Sequence, residues 1–79
     1  MRLGKILFVL SYCPYCNSTI KYLDELGCGD IEIVIVDDQK SKFQDELVQL
    51  SKIRTFPQLF TDGRFLGDSN VIKAMQSCP

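Results

Sequence analysis

The chain of 79 residues has no histidine and no tryptophan. Without histidine there is no Cys₂His₂ zinc site and no Cys–His or Ser–His nucleophilic pair. Any catalysis must run on cysteine, on carboxylates or on backbone dipoles. No charge of one sign prevails. Nine basic residues stand against ten acidic ones, a formal charge of −1, which argues against the basic footprint of a nucleic-acid binder. Long apolar runs are missing too. Ile6–Leu10 is too short to cross a membrane or to form a signal-peptide core, and no small-residue cleavage site follows it. With no repeat, low-complexity segment or linker, the expectation is a single domain over residues 1–79, 46% hydrophobic and able to pack a core. No membrane and no nucleic-acid partner is expected, and the chain is read as cytoplasmic.

What the chain does have is four cysteines. In so short a sequence these could be two staples, a metal site or a redox site. In a reducing compartment structural disulfides are rare, and a CxxC is read as catalytic or metal-binding. Zinc needs four ligands, yet there is no second CxxC and Cys28 lies a helix length from Cys13, so no metal is expected. A bond between Cys13 and Cys16 closes too small a loop to stabilise much.

Ile6–Leu10 reads as a central strand covered on both faces. Cys13-Pro14-Tyr15-Cys16 follows, then an apolar stripe at Ile20, Leu23 and Leu26 that predicts a helix ended by Gly27 and Gly29. Ile31–Val36, rich in β-branched residues, reads as a second strand, parallel to the first because a crossover helix joins them. Ser41 to Gln44 has the form of a capping box, with Phe43, Leu47 and Leu50 on the apolar face of a second helix. Gln58–Thr61 and Arg64–Leu66 form a hairpin about Asp62-Gly63. Ser69 is expected to cap a last helix with core positions Val71, Met75 and Cys78. The order is βαβαββα, an α/β domain with a four-stranded mixed sheet and helices on both faces. Phe8, Phe43, Phe60 and Phe65 are expected in the core.

Pro14 suits a first helical position, since its missing N–H would have been unpaired there. Cys13 is then the N-cap, with its sulfur facing the free N–H groups of Tyr15 and Cys16. These donors and the helix dipole favour a thiolate, making Cys13 the expected exposed nucleophile. Cys16, one turn on and facing the helix body, is placed as the resolving thiol that releases a mixed disulfide. Cys28 and Cys78 have no such setting and are expected to pack as small hydrophobes, Cys78 on the apolar stripe of the last helix, with a redox role for the two left open.

Cys13-Pro14-Tyr15-Cys16, Arg54-Thr55-Phe56-Pro57-Gln58-Leu59-Phe60 and Gly67-Asp68-Ser69-Asn70 resemble the dithiol members of the glutaredoxin family, over nearly the whole chain. The Trp-Cys-Gly-Pro-Cys of thioredoxins is absent. The resemblance implies a compact thioredoxin-like fold and a cis bond before Pro57. It further implies a glutathione-dependent thiol–disulfide oxidoreductase that reduces protein disulfides and glutathione mixed disulfides. Glutathione is the implied reductant and co-substrate. Disulfide-containing or glutathionylated proteins, with ribonucleotide reductase as one candidate, are the implied partners of a monomer.

The resemblance also implies a glutathione site. Tyr15 would shape the groove, and Thr55, Phe56 and Pro57 would present backbone to the cysteinyl part like an added strand. Gln44 would hold one carboxylate, with Arg54 as a nearby cation. Asp68 and Ser69, at the start of the last helix, would meet the γ-glutamyl end, with Asn70 another candidate there. Leu10 stands where many members have lysine, and Leu66-Gly67 where they have Gly-Gly. Two other readings stand beside this one. One is a glutaredoxin-like electron donor recharged by thioredoxin reductase; the other is a glutathione-ligated iron–sulfur carrier shared between two chains.

Overall fold

The structure, a computed structural model, describes residues 4–38 and 41–79, and within these the side chains of all but 38 and 41–43. Eight elements follow in order: β1 Lys5–Val9, α1 Pro14–Glu25, β2 Glu32–Ile35, a 3₁₀ turn Val36–Asp38, α2 Ser41–Ser51, β3 Gln58–Thr61, β4 Arg64–Gly67 and α3 Ser69–Lys73. The strands form one sheet in the order β2-β1-β3-β4. β2 runs parallel to β1, with Phe8 opposite Val34; β3 is antiparallel to β1, with Leu7 opposite Leu59; β4 is antiparallel to β3, with Thr61 opposite Arg64.

The unbroken apolar run of β1 is explained by burial on both faces. Side chains alternate across a strand, so Leu7 and Val9 enter one cluster with Cys16, Leu23, Leu59 and Ile72 of the α1 and α3 side. Phe8 enters the other, with Val36, Leu47 and Phe60 on the α2 side. There the Phe60 ring meets Phe8 edge-on at 5.3 Å and Phe65 at 5.6 Å between centroids, a geometry worth about 0.5–1.5 kcal/mol per pair beyond burial. Helices on both faces, the mixed sheet and the hairpin match the expected fold. Asp62 and Gly63 turn the hairpin at φ of +51° and +82°, the conformation that a two-residue Asp-Gly loop supplies. Gly27 follows α1 at φ +83°, ending the helix as expected.

The last helix departs from expectation. Its N-cap is Asp68, not Ser69. The Asp68 carboxylate accepts the N–H groups of Asn70 and Val71 at 3.0 and 3.2 Å. The helix has only five residues and buries Ile72 alone. Val71 is exposed and Met75 half-buried. A helix this short presents a single position to the sheet, so the stripe through Val71, Met75 and Cys78 does not form. Gly67 fits here because a Cβ on it would lie 2.5 Å from the Cβ of Val71. The expected capping box at Ser41 and the core role of Phe43 lie outside the described side chains.

The cysteines give the second departure. Cys28 and Cys78 do not pack as free thiols; they form a disulfide with Cα atoms 5.6 Å apart. Cys78 lies beyond α3, in a segment without regular structure, and is exposed. The bond joins the end of α1 to the C-terminal segment, a pairing across 50 positions that no local spacing encodes.

Candidate active site

Topology gathers the site before any side chain is considered. The end of β1, the end of β2, the start of β3 and the end of β4 all lie at one edge of the sheet. That edge carries the β1–α1 loop with Cys13, the loop before Pro57 and the start of α3. Open α/β sheets bind ligands at such carboxyl ends. A surface depression lined by Gly4, Lys5, Asp30, Glu32 and Asp62 lies at the other end, away from Cys13 and Cys16.

Cys13 is the N-cap of α1, in extended conformation, with Pro14 in the first helical turn. The N–H of Cys16 donates to its sulfur at 3.1 Å. A capping sulfur uses one of the donors that a helix start leaves free. The Cys13 thiol donates to the carbonyl of Phe56 at 3.6 Å, which places the Thr55–Pro57 loop directly over it. The Phe56–Pro57 peptide is cis, as the resemblance implies. Cys13 is less open than expected, only 9% exposed, because Leu10 and Phe56 pack against the same cluster.

Cys16 is fully buried, at 0% exposure. Burial, the Cys13 sulfur that bonds to it and the charge of Asp37 push its thiol up to about 12, against a partial offset from the Leu10 backbone. The two cysteines are therefore chemically unequal, and both are reduced. Ser11, just before them, is held by Asp37. The Ser11 N–H and O–H donate to the two carboxylate oxygens at 2.8 and 2.5 Å. These bonds hold the Asp37 carboxyl below the usual carboxylate range.

The other expected site residues divide. Tyr15 is 68% exposed beside the cysteines; Tyr12, which the sequence did not single out, is 75% exposed. Thr55 and Arg54 are exposed, Phe56 half-buried and Pro57 buried. Gln44 is committed elsewhere: its side-chain amide donates to the Val36 carbonyl at 3.1 Å, tying α2 to the 3₁₀ turn. Asp68 spends one carboxylate oxygen on the α3 amides. Ser69 shares a hydroxyl bond of 3.0 Å with Thr19 of α1, whose hydroxyl also bonds the Tyr15 carbonyl at 2.7 Å. Two buried polar residues were missed. Thr19 sits at a helix position that reads as neutral spacer. Gln58 donates to the carbonyls of Ile53 and Thr55 at 3.2 and 3.0 Å, bracing the loop over Cys13. Among the described residues no cluster of three or more His, Cys, Asp or Glu side chains forms a metal site.

Residues 6–66 match the family model of Glutaredoxin. The chain belongs to the glutaredoxin family. It is 36% identical over 75 residues to a glutaredoxin of Ricinus communis, covering 90% of this chain and 72% of that protein. It is 34% identical to glutaredoxin-C8 of Oryza sativa subsp. japonica, covering 91% of this chain and 56% of that protein. The chain is thus shorter than both, spanning little more than half of the rice glutaredoxin. The holo form of glutaredoxin C1 from Populus tremula × tremuloides superposes with a TM-score of 0.79 at 25% identity, over 90% of this chain and 71% of that one. The buckwheat glutaredoxin–glutathione complex gives a TM-score of 0.77 at 27% identity, over 87% and 64%. The fold is therefore the thioredoxin fold of glutaredoxins, a family of thiol–disulfide oxidoreductases.

Proposed function

We propose that this glutaredoxin reduces protein disulfides and glutathione mixed disulfides, with glutathione as the electron donor. The observation that carries the reading is the inequality of the two thiols. The Cys13 sulfur caps a helix and accepts the Cys16 N–H at 3.1 Å, whereas Cys16 is buried and its thiol pushed up to about 12. Cys13 attacks a sulfur of the incoming disulfide; that S–S bond breaks, and the departing thiolate takes up a proton. Cys16 then gives up its proton and attacks the Cys13 sulfur, releasing the second half of the substrate and leaving a Cys13–Cys16 disulfide. Two glutathione thiols return the pair to the reduced state and leave as glutathione disulfide. A glutathione mixed disulfide needs Cys13 alone.

Thr55, Phe56 and Pro57 suit the cysteinyl part of glutathione, because the Phe56 carbonyl already lies 3.6 Å from the Cys13 sulfur and the glutathionyl sulfur must arrive at that point. Exposed Tyr15 and the α3 start at Asp68 and Ser69 border the same edge of the sheet. Gln44 fits a ligand role less well, since its amide is held by Val36.

The test is to trap glutathione in a Cys16→Ser variant and map it by peptide mass. A mixed disulfide on Cys13 supports the reading; attachment elsewhere, or none, overturns it. Leu10 favours a second reading, recharging by thioredoxin reductase, because a half-buried leucine puts no cation near the sulfur or the ligand carboxylates. Turnover with thioredoxin reductase but not with glutathione and glutathione reductase would select it.

A further inference from the structure

We infer that the Cys28–Cys78 disulfide is a second thiol–disulfide site, separate from Cys13 and Cys16, that a low-molecular-weight thiol opens at Cys78 and that latches α3 to α1. The bond is asymmetric. Cys28 is 5% exposed, whereas Cys78 is exposed. An in-line thiolate therefore reaches the Cys78 sulfur and not its partner, and the burial of Cys28 fixes which sulfur leaves.

A thiolate bonds to the Cys78 sulfur, the S–S bond breaks, and its electron pair goes to the Cys28 sulfur, which takes up a proton. A second thiolate attacks the thiol-derived sulfur of the adduct and frees Cys78. Two thiols are oxidised to one disulfide, and Cys28 and Cys78 are both reduced. The reverse sequence closes the latch at the expense of a small disulfide.

Four links bind α1 and the residues just after it to α3 and the C-terminal segment. Ser69 bonds Thr19 at 3.0 Å, the Lys73 ammonium donates to the Ser18 hydroxyl at 2.7 Å, the Tyr22 hydroxyl donates to the Met75 carbonyl, and Cys78 is bonded to Cys28. They run from the site edge to the far end of α1, and the disulfide is the last and the only covalent one. α3 itself has five residues and one buried side chain, too little to hold the segment firmly once the bond opens. Exposed disulfides at weakly held segments are those that exchange with cellular thiols; enclosed structural ones resist them. Opening the latch frees the C-terminal segment and returns loop entropy to the unfolded chain.

The experiment treats the native wild-type protein, fully oxidised beforehand with glutathione disulfide, with millimolar reduced glutathione. Each cysteine is read by differential alkylation and peptide mass, and melting is followed in parallel. Cys28 and Cys78 should become alkylated together, with the transient glutathione adduct on Cys78. The melting temperature should fall by roughly 10 °C or more. A Cys78→Ser variant, altered at an exposed position, should melt at that lower temperature whether oxidised or reduced. The inference is overturned if the bond stays closed until denaturant is added, if the adduct forms on Cys28, if the oxidised protein holds these two cysteines as free thiols, or if opening leaves melting unchanged. None of these readings uses turnover, so they stand apart from the fate of the proposed glutathione-dependent activity.

Discussion

Ser11 is bound twice by Asp37: its N–H donates to one carboxylate oxygen at 2.8 Å and its hydroxyl to the other at 2.5 Å. The pair joins the loop that carries Cys13 to the turn after β2, across the parallel pairing of β1 and β2. Both bonds favour the charged carboxylate, so its titration is shifted down in the folded chain. As pH falls, the unfolded chain takes up this proton first. The contribution of the pair is therefore present above the ordinary carboxylate range and is lost as the pH drops through the lowered value. A Ser11→Ala variant should melt below the wild type at neutral pH, and the gap should close under acid. Melting curves across that range check it; a gap that stays constant would show that Asp37 does not carry the effect.

Cys16 titrates in the opposite sense. The folded chain keeps a proton that the unfolded chain releases above 9.0, up to about 12. Stability from the buried thiol is thus complete below that window and is lost as pH rises through it. In a Cys13→Ser variant the influence of the neighbouring sulfur is removed, but burial, the largest cause, stays. Iodoacetamide should modify Cys16 slowly at neutral pH, with a rate still climbing above 9.0. A rate that levels off near neutrality would contradict the burial.

Gly67→Ala should destabilise the fold by about 1–3 kcal/mol, the usual range for overpacking. The added methyl would lie 2.5 Å from the Cβ of Val71, and a Cβ cannot rotate away. Denaturant titration measures the loss. Adding Val71→Gly should recover part of it, although the second glycine itself weakens the helix by about 1 kcal/mol.

Gln58→Leu removes the amide that braces the carbonyls of Ile53 and Thr55. It also removes the Gln58 Oε1, which has no hydrogen-bond partner although it is buried. These effects oppose each other, so stability should change by no more than about 1 kcal/mol. The loop over Cys13 loses its support, so KM for a glutathione mixed disulfide should rise several-fold while melting hardly moves. Parallel kinetic and melting measurements separate the two; an unchanged KM would remove Gln58 from the positioning of the site.

How far the sequence could be read depended on how local each feature is. The β1 run, the Asp62-Gly63 hairpin, Gly27 and the Cys13-Pro14 helix start are specified by neighbours along the chain, and each formed as expected. Asp68 took the cap from Ser69 because one carboxylate oxygen reaches two amides at once. The Gln44 amide donates to a carbonyl on the 3₁₀ turn, a turn that no hydrophobic period announces. Thr19 and Gln58 are polar and buried. Thr19 joins the nearby Tyr15 carbonyl to Ser69 of another helix. Gln58 turns back on two carbonyls of the irregular loop before it, a loop with no periodic pattern to announce it. The Cys28–Cys78 pair is the extreme case, since only the completed fold brings the end of α1 to the C-terminal segment.

While that pair is joined, residues 28–78 form a closed ring, and Cys13 and Cys16 lie on the open arm that precedes it. The Phe56 carbonyl and the start of α3, which face them, belong to the ring. A single backbone cut anywhere within it therefore releases nothing. The nicked molecule runs as one species without reductant and as two with it, and both halves of the site stay on the same covalent frame.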